Sequence, residues 1–133
     1  MSNQATEASK AVVLRFFEEF FNKRNEAVWD ELVHPEIVVH GLSGEMRGSQ
    51  QVKPFYTQGL FRAFDPWRIV VEEVVAEGDK VAARITESGT MVGSLMGREP
   101  TGKSFTIQAA QICHLRDGKV AEMWGFRDSG FTR

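Results

Sequence analysis

The second half of the chain contains four long stretches with the composition of β-strands. Two polar turns, Glu77 to Lys80 and Arg116 to Lys119, each join one such stretch to the next. Short polar turns between strands are typical of hairpins, so this region predicts an antiparallel sheet built from two long hairpins. The predicted strands are Trp67 to Ala76, Val81 to Met91, Lys103 to Leu115 and Val120 to about Asp128.

The first half of the chain predicts three helices and one short strand. Apolar residues recur at three- and four-residue steps from Val12 to Phe21, which predicts a helix that begins near residue 7. Asn and Ser cap helices well, and the residue before a proline is disfavoured inside one. These signals predict a second helix from Asn25 to His34-Pro35, a third from Ser49 to Asp65-Pro66, a strand from Glu36 to His40 and a loop from Gly41 to Gly48.

This order of elements predicts the fold class. Helices that precede a run of antiparallel strands indicate an α+β fold, with the helices on one face of a curved sheet. The chain has 133 residues, which is close to the commonest size of one domain. We therefore predict a single domain over 1–133, with its core over about 11–128.

Charge and cysteine content exclude several classes of function. The 16 basic and 18 acidic residues give a formal net charge of −2, and the absence of a basic stripe argues against nucleic acid. The apolar runs are too short for a membrane span and no secretory signal is apparent, which predicts a cytoplasmic protein. The lone Cys113 excludes an internal disulfide or a cysteine cluster, and the three scattered histidines predict no metal site.

The last predicted strand contains the first candidate for chemistry. Side chains alternate along a strand, so one face is predicted to contain Glu122, Trp124, Phe126 and Asp128. Apolar surroundings raise the pKa of a carboxyl group toward the working pH, which suits a general acid or base. We therefore predict Asp128 as a catalytic residue. The alternative is an Asp128 that is exposed at the strand end or paired with Arg127 or Arg84.

Two further polar residues are candidates. His40 ends the first predicted strand and titrates near neutrality, so it could exchange a proton with a substrate; the alternative is a hydrogen-bonded histidine at the rim. Gln111 interrupts an otherwise apolar strand face, and a buried amide needs a partner such as a ligand carbonyl. The alternative for Gln111 is a polar partner in the core, such as His40 or Arg84.

Six short patterns occur in order along the chain. They are Phe20 to Asn25, His34 to His40, Arg47-Gly48, Glu77 to Arg84, Pro100 to Lys103, and Asp117 to Val120 followed by Glu122, Trp124 and Asp128. In this order and spacing they resemble the SnoaL-like branch of the nuclear transport factor 2-like superfamily. The resemblance extends from about Ala11 to Asp128.

The resemblance implies a cone-shaped fold with a deep pocket between sheet and helices. It also implies acid–base work by the aspartate at Asp128, as in aldol ring closure by SnoaL-like cyclases, and places His40 and Gln111 where related isomerases have acidic groups. Two other chemistries do not transfer. Phe16 stands where those isomerases have a tyrosine donor, and Thr86 and Phe126 stand at the aspartate positions of limonene-type epoxide hydrolases, whose arginine matches Arg84.

We therefore expect a cofactor-free enzyme that acts on a small, largely apolar carbonyl compound. Asp128 and His40 are the predicted catalytic residues; the predicted substrate contacts are Gln111, Trp124, Phe126, Phe20, Trp29, Phe55, Tyr56, Glu122 and Arg84. The rival hypothesis is a binding or docking module without catalysis, and a third is a lyase, hydratase or epoxide hydrolase-like enzyme. The resemblance also implies a homodimer, formed through the outer sheet face with residues such as Val70, Val74 and Ile112.

Overall fold

Three helical segments pack on one face of a curved, six-stranded sheet. The computed structural model of the protein describes residues 3–41 and 44–127. The arrangement confirms the predicted α+β fold. No helix in these two ranges is both long enough and apolar enough to cross a membrane.

The first helix is α-helical over Asn3–Arg15 and continues as a wider π-helical turn over Phe16–Asn22. It therefore begins earlier than residue 7. The π-helical turn buries four phenylalanines, and its last side chain fixes the helix to the sheet, because Asn22 accepts a hydrogen bond from Ile69 N and donates one to Ile69 O.

The second helix is short, with a 3₁₀ turn over Glu26–Val28 followed by Trp29–Leu32. Asn25 caps it as predicted, because its side chain accepts a hydrogen bond from Ala27 N. The helix ends before His34-Pro35, since Val33 is already extended and begins the first strand.

The third helix consists of Ser49–Pro54, a π-helical turn over Phe55–Leu60 and a last turn over Phe61–Ala63. Its cap is Gly48, with φ of 84°, rather than Ser49, whose hydroxyl accepts a hydrogen bond from the Trp29 indole. The end at Ala63, before Asp65-Pro66, is stabilised by Arg24, whose guanidinium donates to the carbonyls of Phe61 and Phe64.

The six strands form one mixed sheet in the order β2-β1-β6-β5-β4-β3. The predicted sheet was antiparallel, but β1 and β6 run parallel. The strand β2 was not predicted, because only four residues pair there with β1. The strands are β1 Val33–Gly41, β2 Gly44–Arg47, β3 Phe64–Glu77, β4 Lys80–Met91, β5 Ser104–Arg116 and β6 Lys119–Arg127.

The face of the sheet that packs on the helices is called the inner face here. On β5 it contains the residues predicted to share an apolar face, and Ile107, Ala109, Gln111 and Cys113 are buried. The β5–β6 register pairs Gln111 with Gly125, and it thereby assigns both strands' side chains to a face. The inner face of β6 therefore consists of Met123, Gly125 and Arg127, and the opposite, outer face has Glu122, Trp124 and Phe126.

Candidate functional site

A small cavity lies between the third helix and the inner face of the sheet. The space open to water-sized groups is about 30 Å³, and the empty space is about 340 Å³ when open solvent is counted. Because one water needs about 10–15 Å³ of the first kind of volume, the cavity has room for about two water-sized groups. The lining residues are Val39, His40, Gly41, Met46, Phe55, Tyr56, Leu60, Gln111, Met123, Gly125 and Arg127.

Two polar side chains of this lining have no hydrogen-bond partner within the part of the chain that the structure describes. Neither the Tyr56 hydroxyl nor the Gln111 amide is hydrogen-bonded to another residue in the described ranges, although both residues are buried. No side-chain nitrogen or oxygen in these ranges is both sealed from solvent and without a partner. The polar atoms of Tyr56 and Gln111 are therefore accessible from the cavity, where a ligand or water can meet them.

Tyr56 is held by aromatic neighbours and remains a neutral donor. Its ring contacts those of Phe20, Phe21 and Phe55 at centroid distances of 6.0, 5.1 and 5.6 Å. Burial raises the pKa of the Tyr56 hydroxyl well above its usual value. The hydroxyl therefore keeps its proton at neutral pH and can donate a hydrogen bond into the cavity.

Behind the cavity, a carboxylate is buried among apolar residues. Glu87 of β4 has no exposed surface, and its two oxygens have separate partners. Arg127 Nε donates to Glu87 Oε1 at 2.8 Å, and the Trp67 indole donates to Oε2 at 3.1 Å. The charged pair joins β4 to β6 across the inner face, and Arg127 extends from it to the cavity wall.

Gly125 has no side chain on the cavity wall, and two nitrogen donors approach the point where its Cβ atom would be. A Cβ atom on Gly125 would lie 3.0 Å from Arg127 Nη1 and 3.2 Å from the side-chain nitrogen of Gln111. These distances are tighter than ordinary van der Waals contacts, so the two donors can approach this point so closely only because residue 125 has no side chain. The missing side chain thus gives both donors access to the cavity.

Four predicted site residues, His40, Phe55, Tyr56 and Gln111, are among the residues that line this cavity. Phe20 and Trp29 do not line it; they are fully buried in the aromatic core, with ring centroids 6.0 and 6.1 Å from that of Tyr56. They support the ring of Tyr56 from behind.

The remaining described candidates lie on the outer face of the sheet. Trp124 and Phe126 were predicted as pocket walls, but Phe126 is 57% exposed and neither residue lines the cavity. Trp124 and Phe126 do share one face of β6 as predicted. That face points outward, because Gly125 and Arg127 are the residues of β6 that face inward. Arg84 also faces outward, where it pairs with Glu73 at 3.3 Å.

His40 directs its ring to the same outer face. Its Nε2 lies 2.8 Å from Glu122 Oε2, and its ring stacks on that of Trp124 at a centroid distance of 5.0 Å. His114 contacts the same indole edge-on at 4.8 Å, and Glu45 lies 3.7 Å from His40 Nδ1. His40 and Gln111 therefore do not meet, although the segment containing His40 borders the cavity.

Asp128, the first predicted catalytic residue, lies outside the described residues. Its role stays a prediction, and the sequence places it directly after Arg127.

Neither the buried Glu87 nor the inward position of Arg127 was predicted from the sequence. A signal for Glu87 was available, because it continues the alternating series Val81, Ala83 and Ile85 on the inner face of β4. Residues 3–41 and 44–127 contain no group of three His, Cys, Asp or Glu side chains that could hold a metal ion.

The fold and the site define a class of protein: a helix-covered, curved sheet with a mostly apolar cavity on its inner face that contains a few polar side chains. Comparison with family models matches the SnoaL-like polyketide cyclase family over residues 11–130. The chain belongs to the SnoaL-like polyketide cyclase family. No curated protein sequence matches it.

Solved structures agree with this assignment. A proposed SnoaL-like polyketide cyclase from Jannaschia sp. CCS1 is 27% identical, with a TM-score of 0.85 over 96% of this chain and 90% of that one. AclR, a proposed hydroxylase from Streptomyces galilaeus, is 28% identical, with a TM-score of 0.75 over 92% and 90%. An NTF2-like protein from Anabaena variabilis ATCC 29413 shares the fold at 14% identity, with a TM-score of 0.76 over 97% and 93%.

Proposed function

We propose that the protein is a cofactor-free enzyme of the cyclase type, which binds a small carbonyl compound in the inner cavity and moves protons on it. The supporting observation is that Tyr56, Gln111 and Arg127 bring polar groups to one cavity. The other side chains in its lining are mostly apolar. A few polar groups in an apolar pocket are typical of small-molecule sites.

The chemistry that fits this lining begins at a carbon next to a carbonyl group. Removal of a proton from that carbon places negative charge on the carbonyl oxygen. Donors fixed in advance, here the Tyr56 hydroxyl and the Gln111 amide, stabilise this charge. Because the Tyr56 pKa is raised by burial, its hydroxyl supplies a hydrogen bond and keeps its own proton.

Asp128 is the base in this proposal, and this assignment rests on the family resemblance alone. Its carboxylate would accept the proton from the carbon. The enolate carbon would then form a bond to a second carbonyl carbon of the same molecule. The resulting alkoxide would take the proton back from Asp128, so that the ring closes without net loss of atoms. His40 is left out, because its ring binds Glu122 on the outer face.

The size of the cavity limits what enters it. Room for about two water-sized groups accommodates a carbonyl or carboxyl head group but not a whole multi-ring compound. The body of a larger substrate would lie outside this space, or would displace lining side chains such as Phe55 and Met46.

The first half of the reaction can be tested without the natural substrate. Cyclohexanone in D₂O exchanges the hydrogens next to its carbonyl, and NMR follows the loss of their signal. We expect the protein to accelerate this exchange and Asp128→Asn to lower the acceleration about a hundredfold or more, the usual contribution of a general base. Asp79→Asn, in an exposed turn, is the matched control. Equal rates for the Asp128→Asn variant and the unaltered protein would exclude the proposed base.

One observation favours a second function, a binding module without catalysis. The ring of the predicted proton partner, His40, lies on the outer face, so only one of the two predicted catalytic residues, Asp128, remains a candidate. A binding module would show cyclohexanone-dependent shifts in its NMR spectrum but no accelerated exchange.

A further inference from the structure

We propose that the inner cavity is a binding site for an anionic oxygen, carboxylate or enolate, with Arg127 as its charged donor and Glu87 as the residue that positions Arg127. This inference rests on the proposed function only in placing the ligand in the same cavity. Three features support it: the cost of the buried pair, the geometry of the donors and the composition of the lining.

The buried pair is expensive for the fold. Glu87 is fully buried and the Arg127 side chain is only 14% exposed. Removing two charges from water costs more than a well-packed apolar pair of the same size, so such pairs are weak contributors to stability. The free-energy cost of burying this pair is explained if the charge of Arg127 is needed at the cavity and Glu87 makes the burial of that charge possible.

The geometry directs the guanidinium to the cavity. Glu87 accepts a hydrogen bond from Arg127 Nε. Because the guanidinium is planar, this bond also fixes the directions of its other N–H groups. Nη1 lies near the point where a Cβ of Gly125 would be, and the nitrogen of the Gln111 amide lies near the same point. A ligand oxygen next to Gly125 would meet both donors.

The lining favours a negative ligand. Besides Arg127 and Gln111, the Tyr56 hydroxyl faces this cavity as a neutral donor, and none of the described lining residues is acidic. Charge-assisted hydrogen bonds are about twice as strong as neutral ones, so an anionic oxygen gains more here than a neutral carbonyl. The room for about two water-sized groups admits the two oxygens of a carboxylate or the single oxygen of an enolate.

The test uses acetate as the probe and acetamide, its neutral isostere, as the matched control. Binding is followed by NMR shifts of the Gln111 side-chain amide and the Trp67 indole N–H. We expect acetate to bind at least about tenfold more tightly than acetamide, as a charge-assisted bond implies. Acetylacetone distinguishes the two anions, because enolate binding increases the enolate absorbance at constant pH. Binding of either anion supports the proposal.

The variant that tests Arg127 is the double substitution Glu87→Leu with Arg127→Met, which removes both charges together. We expect it to fold with an unchanged circular dichroism spectrum and to lose the preference for acetate over acetamide. A folded double variant that still prefers acetate, or an unaltered protein that does not, would overturn the proposal.

Gly125→Ala is a second variant in case the double variant does not fold. It keeps the ion pair but adds a methyl group at the point between the two donors. We expect weaker acetate binding with an unchanged Trp67 indole shift, and undiminished acetate binding would contradict the proposed position. The two proposals can fail separately. If acetate binds but the protein does not accelerate ketone exchange, the proposed enzyme is rejected and the anion site stands. If the protein accelerates exchange but acetate neither binds nor inhibits it, the anion site is rejected.

Discussion

The imidazole of His40 donates a hydrogen bond from Nε2 to Glu122 Oε2 at 2.8 Å while it stacks on Trp124, and both partners lie on the outer face of the sheet. These two contacts account for the position of the His40 ring, and no ligand is needed to explain it. It joins β1 to β6, the two parallel strands of the sheet. The pair is partly exposed, since the side chains of His40 and Glu122 retain 31% and 37% of their accessible surface.

A structural role predicts a modest effect of removing His40. We expect His40→Ala to lower the free energy of unfolding by about 1 kcal/mol, the usual net value of one hydrogen bond, and to leave ketone exchange within about twofold of the unaltered protein. Urea unfolding at neutral pH and the NMR exchange assay measure the two effects. A loss of exchange as large as that of Asp128→Asn would restore His40 as a catalytic residue.

Tyr56 is the only tyrosine in the chain, so phenolate absorbance reports on it alone. Burial raises its pKa, and the native state therefore holds the proton more tightly than the unfolded state. The free energy of unfolding should fall as the pH rises above the ordinary phenol value of about 10. We expect folded protein to show no phenolate band at that pH and Tyr56→Phe to reduce the pH dependence. A phenolate band in folded protein near pH 10 would contradict this prediction.

Cys113 should be unreactive in the native state. It is fully buried on the inner face of β5, and burial raises the pKa of its thiol to about 12. Because only the thiolate is nucleophilic, a disulfide reagent should react with it only as fast as the protein opens. Labelling with a chromogenic disulfide in buffer and in urea measures the difference. Rapid native labelling, at the rate found in urea, would mean that the inner face is open to solvent.

The predicted homodimer remains a proposal, and the outer face offers a specific surface for it. The sheet register aligns Val75, Ala82, Ile112 and Trp124 in one row across four strands. Val75 and Phe126 are 60% and 57% exposed. Val74, suggested from the sequence, packs against the core instead, after a register shift in β3 between Val71 and Glu73.

We expect Phe126→Glu to shift the sedimentation of the protein from dimer to monomer, because the substitution introduces a charge beside this apolar row. Val92→Glu is the control, since Val92 is also exposed, at 52%, but lies in the connection after β4. Analytical ultracentrifugation at several concentrations gives the result. If the unaltered protein is a monomer throughout, or if both variants dissociate equally, this surface is not the interface.

Much of the fold was predictable because local signals and tertiary structure agree. The turn at Asp117-Gly118 has positive φ at both residues, the conformation that this residue pair favours in a tight hairpin. The apolar face of β5 was predicted with its buried amide, since Ile107, Ala109 and Gln111 alternate regularly. The strand β2 was not predictable, because four residues without an apolar alternation acquire their conformation from pairing with β1.

The sequence by itself determined the helices, the hairpins, the family and a polar residue, Gln111, on an apolar strand face. Only the tertiary structure decided which side of β6 is inside. Alternation divides a strand into two sets of side chains but does not say which set is buried. The bulky Trp124 and Phe126 suggested that their side faces the helices. The opposite side is inside, because Gly125 has no side chain there and Arg127 is buried against Glu87, on a strand two places away.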